Sequence, residues 1–236
     1  RNPVIEALKS GRAVEKVLIS SSDGSARQII AMAKEKGIPI VKTERQALDR
    51  IGGGASHQGV AAYVSAYAYA QMDDILAKAQ SAGEEPFVII LDGLEDPHNL
   101  GAIMRTAECA GAHGIIIPKR NSCGLTETVA KTSAGAIEYM PCVKVSNIVR
   151  TIDELKTMGF WIAACDMGGQ EYYRTDLRGK LAVVIGGEGN GISRLVKEAC
   201  DFTVSMPMKG KITSLNASNA AAVLMYEVRR QRDGER

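Results

Sequence analysis

The sequence predicts an α/β protein in two units, the second a mostly parallel sheet with helices on both faces. Three observations carry that expectation. Short apolar runs alternate with stretches of helical period along all 236 residues. In the second part the runs FVIIL (87–91), GIII (114–117), FWIAA (160–164) and LAVVI (181–185) are continuously apolar, as in strands buried on both faces. Residues 66–86 turn to Ala, Tyr, Gln and Ser and close on Gly83-Glu84-Glu85-Pro86, the composition of a joint between units.

Each element follows from local pattern. Over residues 3–10, Val4, Ile5 and Leu8 share one helical face. Val17-Leu18-Ile19 reads as a short buried strand. Ser25 can cap a helix to Lys36, with Ile29, Ile30, Met32 and Ala33 inward and Gly37 as its stop. A strand over 38–41, a helix over 44–51, the break Gly52-Gly53-Gly54 and a strand over 58–65 complete a small layered domain, 1–66. The linker is placed at 67–86 and holds a short helix, 72–82. The second domain, 87–236, adds strands near 137–145 and 202–206 and helices at 99–110, 126–133, 147–158, 192–199 and 215–232. Such alternation builds a parallel sheet, which binds ligands beyond the carboxyl ends of its strands.

Composition excludes several classes. No apolar run approaches the roughly 18 residues of a membrane span. No charged-then-apolar leader opens the sequence, so secretion is not expected. Cys109, Cys123, Cys142, Cys165 and Cys200 are scattered, without CxxC, which fits a reducing cytoplasm and no zinc knuckle. His57, His98 and His113 fall in separate segments, so no metal is expected. Aromatics are 5%, too few for a base-stacking sheet. The net charge of +2 divides unevenly: residues 1–70 hold ten Lys/Arg and six Asp/Glu, the remainder nineteen and twenty-one. A basic N-terminal unit suits a phosphate backbone, and a solvated surface would look the same by charge alone.

Three stretches carry chemistry. In the first, Asp92-Gly93-Leu94-Glu95-Asp96-Pro97-His98-Asn99 leads from a strand into a helix for which Asn99 is the expected N-cap. Arg105 lies off that helix's apolar stripe of Leu100, Ile103, Ala107 and Ala110. The second, Gly186-Gly187-Glu188-Gly189-Asn190-Gly191, departs from GxGxxG and comes too late for a Rossmann fingerprint, which follows the first strand. A charge inside a glycine loop, Glu188, points to a partner or a task. In the third, Met206-Pro207 leads through Ser214-Leu215-Asn216, where Ser214 or Asn216 caps a terminal helix that opens on small residues. Spacing alone is equally met by capped helices, a tight turn and close packing.

Together the three stretches resemble the SpoU (TrmH-type) branch of the SPOUT RNA methyltransferases. The motifs are Asn99-Leu100-Gly101-Ala102-Ile103-Met104-Arg105, the glycine loop around Glu188, and Met206-Pro207 through Ser214-Leu215-Asn216. The first 70 residues, with Arg1-Asn2-Pro3-Val4 and Ser56-His57-Gln58-Gly59-Val60, resemble the RNA-binding domain fused ahead of that enzyme. The resemblance implies a deep trefoil knot in the second domain, S-adenosylmethionine as cofactor, a homodimer packed through the knot, and transfer of methyl to a ribose 2′-hydroxyl. The resemblance is nearest to enzymes of a 23S rRNA guanosine. Within the family a tRNA enzyme or an rRNA-methylating resistance enzyme stays open, as does an inactive RNA-binding relative.

Carried over by position, Gly186, Gly187, Met206, Ser214 and Leu215 would hold the cofactor. Arg105 would sit at the acceptor hydroxyl and phosphate, oriented by Asn99 and Glu188, with Asn216 and Ser214 shaping the floor. Glu188 as the general base is the rival role. Lys9, Arg12, Lys16, Arg27 and Lys34 are the candidate RNA contacts of the first domain.

Overall fold

The structure, a computed structural model, describes residues 1–10, 13–53, 56–65 and 67–234. They form two units, 1–68 and 69–236. In the first, strand β1 (Val14–Ile19) is central, parallel to β2 (Ile40–Lys42) and antiparallel to β3 (Val60–Val64). Helices α1 (Asn2–Lys9) and α2 (Ser25–Glu35) cover one face: Leu8 and Ile29 are buried against Val17 and Ile19. Side chains alternate along a strand, so Lys16 and Leu18 turn to the opposite face. Lys16 lies over the Tyr63 ring there, 4.6 Å from its centroid. Helix α3 (Arg45–Gly52) buries Leu48 and stops where Gly53 turns left-handed, φ 55°.

The second unit is a six-stranded, all-parallel sheet in the order β6-β5-β4-β8-β7-β9. The strands are β4 (Phe87–Asp92), β5 (Gly114–Pro118), β6 (Cys142–Val145), β7 (Trp161–Glu171), β8 (Leu181–Gly186) and β9 (Phe202–Ser205). Between and after them run α5 (Pro97–Cys109), α6 (Glu127–Thr132), α7 (Ile148–Thr157), α8 (Arg194–Ala199) and α9 (Ala217–Asp233). Val88, Ile90, Ile116, Ala182 and Val184 are fully buried, as the continuous apolar runs require.

The stretch expected as a linker contains α4 (Met72–Ala82), whose Ile75 is buried in the core of the second unit. A β-carbon at Gly114 would lie 2.3 Å from Ile75 Cδ1, so glycine there admits this helix. Most boundaries shift by one or two residues, and Gly24 rather than Ser25 is the N-cap of α2; three differences have a clear local cause. The strand expected from 137 begins at Cys142, because Ala134 (φ 50°) and Gly135 (φ 92°) turn the chain into a short 3₁₀ segment, Ala136–Glu138. Strand β7 runs on to Glu171 because β9 pairs with its polar end at Gln170 and Glu171. Helix α5 begins at Pro97, with Asp96 rather than Asn99 as N-cap: the Asp96 carboxylate accepts from His98 N–H at 3.0 Å.

At the start of β4, buried His113 Nδ1 accepts the Phe87 N–H at 2.9 Å. That bond needs Nδ1 unprotonated. Burial, then the Arg232 charge, hold the imidazole below its ordinary 6.5, with Lys78 adding and Glu84 opposing. Because the folded state binds the proton less readily than the unfolded one, this stability is complete above about 6.5 and lost as pH falls through the lowered value. The melting temperature is expected to decline on acidification from pH 6.5. In His113→Gln that segment of the profile should flatten; an unchanged slope would assign it to other groups.

Candidate functional site

Strand order reverses between β4 and β8. From β4 the chain steps outward through β5 to β6, then crosses to β7 and returns beside β4 as β8. Crevices at such reversals, beyond the carboxyl strand ends, are where open α/β sheets bind ligands. The last register pair there is Asp92 with Gly186, so the first and second motif stretches leave the sheet side by side.

The glycine loop is close-packed. A β-carbon at Gly187 would lie 2.0 Å from the Gly93 carbonyl oxygen, and one at Gly186 would lie 2.2 Å from the Gly191 carbonyl carbon. Neither glycine has a positive φ, so space rather than backbone conformation demands them. Gly187 and Gly191 form an isolated antiparallel bridge, folding the loop on itself.

Glu188 sits on that loop with its carboxylate between two amides. Its Oε1 accepts from Asn99 Nδ2 at 2.8 Å and from Asn216 Nδ2 at 2.6 Å. One residue from each motif stretch therefore meets at one oxygen, across 89 and 28 positions of chain. Oε2 has no partner among the described residues. Asn99 can do this because Asp96 takes the cap and leaves the buried Asn99 amide to point sideways. Asn216 serves twice: its Oδ1 caps α9 by accepting from Ser218 N–H at 2.9 Å, while its Nδ2 holds Glu188. In Asn216→Asp the cap survives but the donor becomes a carboxylate facing a carboxylate. Turnover is expected to fall about tenfold or more with the melting temperature nearly unchanged; equal activity would show that the amide contributes nothing.

Beside this network lies a cleft of about 590 Å³. Its walls come from the strand β7 segment Cys165–Met167, the loop 185–191, Met206 and Met208, and the run 213–217 with Ala220. Every expected cofactor residue lines it: Gly186, Gly187, Met206, Ser214 and Leu215, joined by Glu188 and Asn216. The lining contains no Arg105. That residue is exposed on α5 and has no hydrogen bond or ion pair among the described residues. Here the Asn99 and Asn216 amides both reach Glu188, and no hydrogen bond joins Arg105 to Asn99 or Glu188 among the described residues. Gly101 of the same motif packs α5 against α6; a β-carbon there would lie 2.6 Å from Thr132 Cβ.

Burial pushes the Cys165 thiol up to about 11, with Asp166 adding. This cleft thiol stays protonated near neutral pH and is a poor nucleophile. Asp166, absent from the sequence expectations, pairs with Lys197 at 2.6 Å and fixes the cleft wall to α8. Asp92 is likewise absent from the sequence expectations for the site, although it stands in the first stretch at the strand end before a glycine. No group of His, Cys, Asp and Glu suited to a metal occurs among the described residues.

The expected RNA contacts do not share one face. Lys9 and Arg27 are exposed on α1 and α2, as is Lys34, whereas Lys16 projects from the other side of the sheet. Arg27 Nε donates to the Ser22 carbonyl at 3.2 Å. Arg12 lies outside the described residues.

Comparison with known proteins bears on both units. The model of the SpoU rRNA Methylase family matches residues 86–226, and that of RNA 2'-O ribose methyltransferase substrate binding matches residues 1–70. YacO of Bacillus subtilis (strain 168), a TrmH-family protein named for tRNA and rRNA methylation, is 52% identical over 236 residues, 99% of this chain and 94% of YacO. A Staphylococcus epidermidis protein of the same family name is 48% identical over 238 residues, 98% of this chain and 94% of its own. Among solved structures, the SpoU methyltransferase AviRb from Streptomyces viridochromogenes superposes with a TM-score of 0.65 at 25% identity, over 100% of this chain and 88% of AviRb. AviRb is also known in complex with the cofactor AdoMet, in a structure with a TM-score of 0.65 at 24% identity, covering 99% of this chain and 88% of that one.

Proposed function

The chain belongs to the SpoU rRNA methylase family, and from that premise we propose that it transfers a methyl group from S-adenosylmethionine to a ribose 2′-hydroxyl of RNA, at a guanosine of 23S rRNA. The observation that carries this reading is the meeting of Asn99, Glu188 and Asn216 at the edge of the cleft. The cofactor fits what is there: a cleft of about 590 Å³, in the usual range for small-molecule sites. Its wall of glycine main chain offers N–H and C=O groups, and Met206 and Leu215 offer apolar surface. S-adenosylmethionine, when bound, supplies a methyl group already activated by a positive sulfonium.

The chain's own residues then have to place the acceptor and ease loss of its proton. Asn99 and Asn216 hold Glu188 Oε1, leaving Oε2 as an acceptor for a further donor. Arg105, a permanent cation with a planar fork, clamps the phosphate beside the target ribose and stabilises the developing alkoxide. A protonated guanidinium is no general base, so the proton leaves through phosphate, water or Glu188. The first unit docks RNA, supported by its match to the substrate-binding model and its +4 excess over residues 1–70.

Other expectations stand here as proposals. The segment 206–216, which borders the same cleft as the glycine loop, is where the trefoil knot belongs. Ile212 and Tyr226, 76% and 52% exposed, support a homodimer through this unit. The domain limits 1–66, 67–86 and 87–236, and work in the cytoplasm, complete the reading. Among the described residues no helix is long and apolar enough to cross a membrane. The decisive experiment is tritium transfer from labelled S-adenosylmethionine to separated 23S rRNA and tRNA, with nuclease mapping of the labelled ribose. Label at one guanosine of 23S rRNA is expected. Label on tRNA would move the target, and label on a base would overturn the ribose chemistry.

A further inference from the structure

The glycine loop is fastened at both ends by a single residue that the motifs do not contain. The Asp92 carbonyl accepts the Gly187 N–H at 2.8 Å, where the loop leaves β8. The Asp92 carboxylate, through Oδ2, accepts the Ser193 N–H at 2.7 Å, where the loop enters α8. Between these anchors lie Glu188 and the glycines that wall the cleft. Loops rich in glycine lose much conformational freedom on ordering, so a fixed loop needs such ties. The cross-loop bond from Gly191 N–H to the Gly187 carbonyl, 3.1 Å, is the one further main-chain tie between these positions among the described residues.

We infer that Asp92 is a positioning residue: it clasps the loop 187–193 from both ends and so presents the Glu188 carboxylate to Asn99 and Asn216. The inference rests on the proposed methyl-transfer site. Its chemistry needs an acceptor at the side chain and no charge, because Ser193 N–H is the only group the carboxylate holds among the described residues. Asparagine can present the same carbonyl-type oxygen; alanine cannot. The carbonyl half of the clasp is main chain and survives any substitution.

The test compares wild type, Asp92→Asn and Asp92→Ala. Hydrogen exchange needs no ligand and reads the clasp alone. In Asp92→Ala the amide of Ser193 should lose at least about tenfold in protection, the scale of a hydrogen bond to a charged group, while core amides of β4 and β8 stay protected. Asp92→Asn should restore most of it. The S-adenosylmethionine dissociation constant should rise about tenfold in Asp92→Ala, with Asn again a rescue. Ser193→Pro removes the donor from the other side, and its φ of −62° suits a proline ring. Combined with Asp92→Ala it should add little further loss, since both break one bond. Unchanged Ser193 exchange in Asp92→Ala, or full additivity of the pair, would overturn the clasp. If the wild type binds no S-adenosylmethionine, the methyl-donor reading falls and the exchange result still decides the clasp.

Discussion

Arg105→Ala is expected to lower methyl transfer by about 10²- to 10³-fold, the usual loss when a donor to developing negative charge is removed. The affinity for S-adenosylmethionine should stay within about twofold, because an interaction made only in the transition state leaves ground-state binding alone. The structure sets up that separation: Arg105 is exposed, has no partner among the described residues, and is not part of the cleft wall. Arg105→Lys should recover little, since an ammonium lacks the planar fork that grips phosphate through two bonds. Calorimetric titration beside a turnover assay checks both halves. Normal turnover in Arg105→Ala would remove this residue from the reaction.

Gly187→Ala should act on the opposite half, weakening cofactor binding. Its new methyl would lie 2.0 Å from a carbonyl oxygen that belongs to main chain and cannot rotate away. The loop must retreat, at a cost of about 1–3 kcal/mol for overpacking, and the cleft wall goes with it. The prediction is a dissociation constant raised at least about 10-fold, a lowered melting temperature, and no recovery at high RNA concentration. Wild-type affinity in this variant would mean that the loop does not shape the binding surface.

The fold was legible where burial is continuous. Runs such as Val88–Leu91 and Leu181–Ile185, short and bounded by turn residues, read as interior strands of a covered sheet, and they are. Legibility ended where polar residues are held by distant chain. The end of β7 reads Cys-Asp-Met-Gly-Gly-Gln-Glu and is a strand only because β9 pairs with it. Asn99 and Asp96 are both good caps, and Pro97, suited to a first helical turn, was the local signal that favoured Asp96. The cleft residues could be named from motifs, yet their partners could not. The contacts between Asn99 and Glu188, and between Asp92 and Ser193, span 89 and 101 positions. Spacing along a chain holds no information about closure at that range. Arg105 shows the converse: the motif names it, and the fold leaves it unpartnered.

Helix α9 is tied down at both ends. Its start meets Glu188 through Asn216. Near its end Gln231 holds Leu177 N–H at 2.8 Å and the Thr175 carbonyl at 2.9 Å, and Arg232 reaches the carbonyls of Glu85, Pro86 and Gly179. Those acceptors lie at the amino-terminal edge of the sheet, opposite the cleft. Seventeen helical residues make a strut of about 25 Å between the two edges. The last turn is thus a foundation for the reactive end: whatever loosens Arg232 slackens the brace on which the Glu188 oxygen rests.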